Sequence, residues 1–493
     1  MKVLMMQKME HQMMNKFKSQ FTGAISLAGL LMLSGCSTVS SLNPFDKSSS
    51  NAALEAAQGD PDRISILQLS EDLQIEGTIT PDQIVLPPSY VNTDWPQQGG
   101  NTAHVVQHTA ATGNLTRAWT KDIGAGSGRK GRVLSPPVIA NGVIYTLDGS
   151  NRVVALEEGS GKKLWDYKVV VKPRERTREG RTGVIERVKD PLSLFDDSGA
   201  DTESVGGGVA YADGKVYVSS GLGKIVAIDA ETGEEIWGNR ILSPLHSAPV
   251  ASLERVFAIS DDNVIYAFDT SSGEIVWSHQ AIIESARMLT VPSPALVDDV
   301  LVAPFSSGEL IALRQQNGNV LWQDSLSSTA RLTPLASVND IAAGPAIADG
   351  YVIATAQSGV MTAFDLRTGQ RVWSQPAGAL GYPLIVGDFV FTVTTTGQVA
   401  CLSKLDGSVI WIKDLQLYKN AKKRKDRIVW NGPLLASERL VVVSSHGRLV
   451  EIDPYSGEIL DERKVSSDVF IPPIIANETI YVLSTDAKLT ALR

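Results

Sequence analysis

The sequence predicts an all-β chain: an eight-bladed β-propeller of four-stranded antiparallel blades, closed by an N-terminal strand pairing with the C-terminal blade. Three observations carry this expectation. A strand-turn-strand unit recurs seven times, with Gly four residues before its final position. A second apolar hairpin precedes each unit and occurs eight times, and one Trp-ending strand, "GNLTRAWTKDI" at 113–123, stands alone near the N-terminus. Self-similarity at spacings of about forty to fifty residues with four short strands per repeat is the signature of a propeller.

The recurring unit begins with "VVALEEGSGKKLW" ending at Trp165, then "IVAIDAETGEEIW" at Trp237 and "IYAFDTSSGEIVW" at Trp277. It continues with "LIALRQQNGNVLW" at Trp322, "MTAFDLRTGQRVW" at Trp373 and "VACLSKLDGSVIW" at Trp411. The seventh copy, "LVEIDPYSGEILD", ends in Asp461. Alternating apolar positions with β-branched neighbours give strands. The invariant-offset glycines (Gly161, Gly233, Gly273, Gly318, Gly369, Gly407, Gly457) supply the positive φ of a tight hairpin, and in five copies an Asp or Glu before them (Glu157, Asp229, Asp269, Asp365, Asp453) is expected to bond turn amides. Ala ten residues before the Trp, replaced by Cys401 in the sixth copy and Glu451 in the seventh, marks a closely packed position. The hairpins that precede these units run from "PPVIANGVIYTLDG" to "IPPIIANETIYVLSTDA". The eighth runs on to "LTALR" and stops, so the orphan strand around Trp119 is its missing partner; pairing the two ends hides the strand edges an open array would expose.

Upstream, residues 1–35 read as an export signal: Lys2, Lys8, Lys16 and Lys18 precede a short apolar run, Phe21 to Leu33. "LSGC" then matches a bacterial lipobox, making Cys36 the expected lipidation site, with palmitate among its acyl chains. Residues 36–94 are Ser-rich and weakly apolar, as suits a flexible tether. The propeller is expected over 95–493, interrupted by an insertion at 168–207. With a formal charge of -9, no dominating basic tract and an export signal, nucleic acid is excluded as the main partner. Two non-adjacent cysteines build no disulfide framework, and Cys401 in an apolar run reads as a small core residue.

Strand order separates the two faces. Turns joining first to second and third to fourth strands are minimal and share one face. The second-to-third turns and the blade-to-blade connections share the other. That second face holds the 168–207 insertion, the 412–432 loop with "KNAKKRKDR", "ILSPLHSAP" at 241–249 and "ARLTPLASVNDIAAGP" at 330–345. Long loops on a rigid scaffold carry binding function, so this is the expected working face. The basic run 419–427 suits acidic lipid headgroups or an acidic partner.

The "A-x-D-x-x-T/S-G-x-x-x-W" pattern resembles the repeat of pyrroloquinoline-quinone-type propellers. With "LSGC" and eight blades, the chain is similar to the BamB family of outer-membrane assembly lipoproteins. The resemblance implies a non-catalytic scaffold at the periplasmic face of the outer membrane. It would dock a BamA-type barrel subunit, work with other assembly subunits and aid insertion of unfolded β-barrel clients. The family's acidic-x-acidic loop aligns with "NDIAAGP", keeping Asp340 and placing Ala342 at the second acid. Its Leu-x-Leu-Arg loop aligns with "ILSPLHSAP", keeping Leu242 and Leu245, with His246 beside them and no Arg. Partner contacts are therefore expected at Leu242, Leu245, His246 and Asp340. The alternatives are a quinoprotein dehydrogenase and a periplasmic polysaccharide-binding propeller. Against the first, the chain lacks the vicinal cysteines and clustered acidic ligands such enzymes carry, so no catalytic residue, cofactor or metal is expected.

Overall fold

A computed structural model of the chain describes residues 73–75, 79–129, 131–171, 204–284, 292–326 and 340–493. The signal peptide, Cys36 and most of the tether and insertion lie outside these residues. Eight four-stranded antiparallel sheets form the ring. Blades 1 to 7 span 138–168, 207–240, 250–280, 295–325, 346–375, 384–414 and 430–464. Blade 8 takes three strands from 474–492 and its outermost strand from Arg117–Asp122. In that clasp Trp119 pairs with Ala491 and Lys121 with Leu489, as the orphaned sequence unit predicts. A separate two-stranded ribbon, Tyr418–Asn420 with Lys425–Arg427, stands between blades 6 and 7.

The repeat residues meet at the joints between blades. Within a blade, the small residue faces the Trp across the third and fourth strands: Ala155 with Trp165, Ala227 with Trp237, Cys401 with Trp411. A register shift follows at once, before the tight turn. The Trp ring then reaches the next blade and lies on its turn glycine. A Cβ built on Gly273 would stand 2.3 Å from Trp237 Cε3, and one on Gly407 2.6 Å from Trp373 Cδ2. The indole Nε1 donates to a carbonyl in that same turn: Trp165 to Ala230 (3.0 Å), Trp237 to Thr270 (3.0 Å), Trp277 to Gln315 (2.9 Å). Trp322 donates to Leu366 (2.8 Å), Trp373 to Lys404 (2.8 Å) and Trp411 to Pro454 (3.0 Å). The glycine thus serves twice, giving the turn its φ of +65° to +77° and leaving room for the neighbour's ring.

This explains the atypical seventh copy. Blade 8 has no turn between its last two strands, because they come from opposite ends of the sequence. A Trp at Asp461 would find no glycine to cover. Glu451 and Asp461 face each other instead and are bridged by Arg463. Arg439 pairs with Glu451 at 2.8 Å and donates to the Gly113 carbonyl at 2.7 Å, tying blade 7 to the chain entering the clasp. At the final joint Trp119 does cover Gly161, though its Nε1 is buried without a partner. Glu158 compensates by accepting bonds from Asn477 (2.8 Å) and Tyr481 (3.1 Å) of blade 8.

The ordered body begins earlier than the boundary at 95 that composition implies. Leu73 is buried against blades 5 and 6, and Ile84 against blades 6 and 7. Each of these two apolar residues finds a core to fill.

Gly273→Ala should test the joint: the positive φ and the clash with Trp237 together cost about 2–5 kcal/mol, read as a lower denaturant midpoint.

Candidate functional site

The segment 92–112 makes one full circuit inside the ring and bonds to every blade. Asn92 accepts from Asn477 N (2.7 Å) on blade 8, and Trp95 exchanges two backbone bonds with Ile139 on blade 1. The Pro96 carbonyl accepts from Tyr211 N on blade 2. The buried Gln97 amide donates to Tyr211 O (3.0 Å) and Ala251 O (3.1 Å), and accepts from Ala251 N (3.3 Å), joining blades 2 and 3. Thr102 and Ala103 carbonyls accept from Leu296 of blade 4 and Ile347 of blade 5. Gln107 accepts from Gly387 N of blade 6, and Thr109 bonds Leu435 and Ser437 of blade 7. Thr112 returns to Glu478 on blade 8 and leads into the clasp. All these partners lie on innermost strands or in the short turns that follow them, so the strap closes the axis at the short-turn face. Sequence reasoning missed it, since neither period nor motif announces it.

Above the strap the axis opens toward the long-loop face as a cavity of about 480 Å³. Its wall comes from the connections that enter blades 1, 5, 6, 7 and 8, including Arg132, Ala343, Leu380, Asn431 and Phe470. Gln98 of the strap forms part of the floor. Below, a void of about 50 Å³ is lined by Trp95, His104 and Tyr382 among others. His104 is fully buried, its Nδ1 is 2.7 Å from the Pro345 carbonyl, and its ring meets Tyr382 edge-on at 4.7 Å. Burial holds the imidazole down at about 4, so it is neutral at neutral pH with the proton on Nδ1 facing that carbonyl.

The four expected contact residues separate. Leu242 is 73% exposed on the loop between blades 2 and 3. Leu245 is fully buried in the core between those blades, and His246 is also buried, with Nδ1 3.2 Å from Asp261. Asp340 is buried at the entry to blade 5. Leu245, His246 and Asp340 therefore hold their loops in place, and their side chains are not on the surface. A loose loop alignment reports position along the chain and not which side chain the fold turns inward.

The repeat acids serve their turns. Asp269 accepts from Ser271 and Ser272 amides, and Asp365 from Thr368; hydroxyl and amide donors hold Asp269 at about 2 and lower Asp229 and Asp365. Cys401 is buried and its thiol is pushed up by burial. Among the described residues the axial cavity lining carries no carboxylate, and this lining does not fit the calcium-and-quinone group of quinoprotein propellers. Among the described residues no three His, Cys, Asp or Glu side chains are grouped to hold a metal ion.

The family model described as "Outer membrane protein assembly factor BamB" matches residues 76–193, 181–413 and 418–493. The chain belongs to the BamB family. The BamB of Escherichia coli (strain K12) is 24% identical over 76% of this chain and 88% of its own length. The BamB of Moranella endobia is 24% identical over 72% of this chain and 84% of its own length. In structure, BamB from Moraxella catarrhalis superposes with a TM-score of 0.62 at 17% identity, covering 77% of this chain and 99% of that one. A quinohemoprotein alcohol dehydrogenase from Comamonas testosteroni gives 0.56 at 14%, over 81% and 80%. Both likenesses concern the ring alone; the BamB-family match rests on sequence.

Two measurements test the axis. Gln97→Ala leaves two carbonyls and an amide unpaired and should lower stability by about 2–4 kcal/mol in denaturant titration. For His104, the folded value lies below the unfolded 6.5, so its contribution is complete above pH 6.5 and is lost as pH falls toward 4. Stability should drop by about 3 kcal/mol across that window, and His104→Gln should flatten the drop.

Proposed function

We propose that this chain is a non-catalytic scaffold of outer-membrane β-barrel assembly, lipid-anchored through Cys36 at the periplasmic face of the outer membrane. The observation that carries the reading is the division of labour between faces in a BamB-family ring. The strap closes one end of the axis, and the blade-to-blade connections gather at the other. The loop between blades 2 and 3 presents Leu242, while Leu245 and His246 root it in the core. The loop entering blade 5 is rooted in the same way by Asp340. Firmly rooted loops with an exposed apolar tip suit docking of a folded partner, because little order is lost on association. A BamA-type barrel subunit is that partner, and unfolded barrel proteins are the clients whose insertion the assembly serves.

Co-purification from detergent-solubilised membranes tests this. The chain should retain a BamA-type subunit, and Leu242→Glu should reduce recovery at least tenfold with an unchanged unfolding midpoint. Recovery of a quinone with alcohol oxidation and no barrel subunit would refute the reading, as would cell-wall sugar binding without any assembly defect on deletion.

A further inference from the structure

The ribbon between blades 6 and 7 holds a cluster of cations, with Asp426 the one carboxylate inside the run 419–427. Lys419, Lys422, Lys423, Arg424 and Lys425 are exposed, and among the described residues none is paired with a carboxylate. Several cations elsewhere in the ring are paired: Arg371 with Asp324 at 2.7 Å, Arg448 with Glu462 at 3.0 Å, Lys404 with Asp349 at 2.6 Å. The ribbon is itself anchored, since Arg427 donates to the Thr395 carbonyl at 2.7 Å.

The chain leaving this ribbon goes directly into the wall of the axial cavity through Val429, Asn431 and Gly432. Arg132, exposed and likewise unpaired among the described residues, lies in the wall on the side of blade 1. Within the cavity, Leu380 and the half-exposed Phe470 give an apolar lining. In the floor, Gln98 is buried to 4% exposure and places a polar side chain beneath the apolar wall. Near the opposite rim Asp486 accepts from Ser467 and Ser484 and pairs with Lys488, whereas Asp468 is exposed with His446 Nδ1 4.0 Å away.

We propose that the axial cavity and the basic ribbon form one binding site for an acidic polypeptide segment, with apolar side chains entering the cavity and flanking carboxylates meeting the ribbon and Arg132. The concave shape decides between anionic partners. A bilayer surface is flat and cannot enter a cavity of about 480 Å³, whereas a chain segment satisfies the apolar wall and the cations together. The site is separate from the Leu242 loop, so it stands or falls independently of docking there.

The test is fluorescence anisotropy on the purified full chain. The probe is a fluorescein-labelled nonapeptide of leucine, phenylalanine and leucine flanked on each side by three glutamates. Replacing the glutamates by lysines, or the apolar core by serines, should weaken binding at least tenfold. So should the combined variant Lys422→Glu, Lys423→Glu, Lys425→Glu, whose sites are exposed and leave the unfolding midpoint unchanged. Phe470→Ser should weaken it about fivefold, and raising salt from 50 to 300 mM should weaken it further. Equal binding by the charge-reversed chain, or equal binding of the lysine peptide, would overturn the proposal. So would charge-dependent flotation on phosphatidylglycerol vesicles in the absence of any peptide binding, which would assign the ribbon to a lipid surface.

Discussion

The ring depends on one contact: an indole laid on the turn glycine of the next blade, with its N–H donated to that turn. Each sheet is amphipathic only in part and buries both faces against neighbours, so no blade is stable alone. A contact that fixes both the distance and the rotation between adjacent sheets converts seven local repeats into a closed object. The aromatic surface supplies the burial and the indole hydrogen bond supplies the direction. The small residue opposite each Trp and the register shift beside it are the local conditions that aim the ring across the joint.

The same contact accounts for the exceptions. Blade 7 ends in Asp461 because the next blade offers no turn; ion pairs gather around Glu451 within blade 7, and Arg439 reaches across to the Gly113 carbonyl. Blade 8 is completed by the N-terminal strand because a ring cannot leave its last sheet with an open edge. Trp119 lays its ring on Gly161 from the far end of the chain, without the indole hydrogen bond, and Thr116 and Arg493 are bonded across a sequence separation of 377 residues.

What the sequence discloses follows the same physics. Glycine and tryptophan recur at fixed offsets because each joint repeats one geometry, so blade number, closure and the two faces are legible from spacing. The strap is not, because Asn92, Gln97, Thr102 and Gln107 each meet a different blade through backbone or amide groups, and no period connects them. Site residues are legible only in part. Leu242 and Leu245 are three positions apart in one loop, yet the fold exposes the first and buries the second. Similarly, the basic run 419–427 is plain in sequence, whereas its continuity with an apolar cavity appears only when blades 6 and 7 are placed around the axis.

The strap also acts as a molecular ruler. It offers a bonding station to each of eight sheets, in order, before the clasp begins. Repeat proteins gain and lose units readily, and a propeller's joints alone do not specify when to stop. Here a seven-membered assembly would strand one station's amides and carbonyls away from water, and a nine-membered one would leave an innermost strand without its mate. The count of blades is thereby written into some twenty residues that belong to none of them.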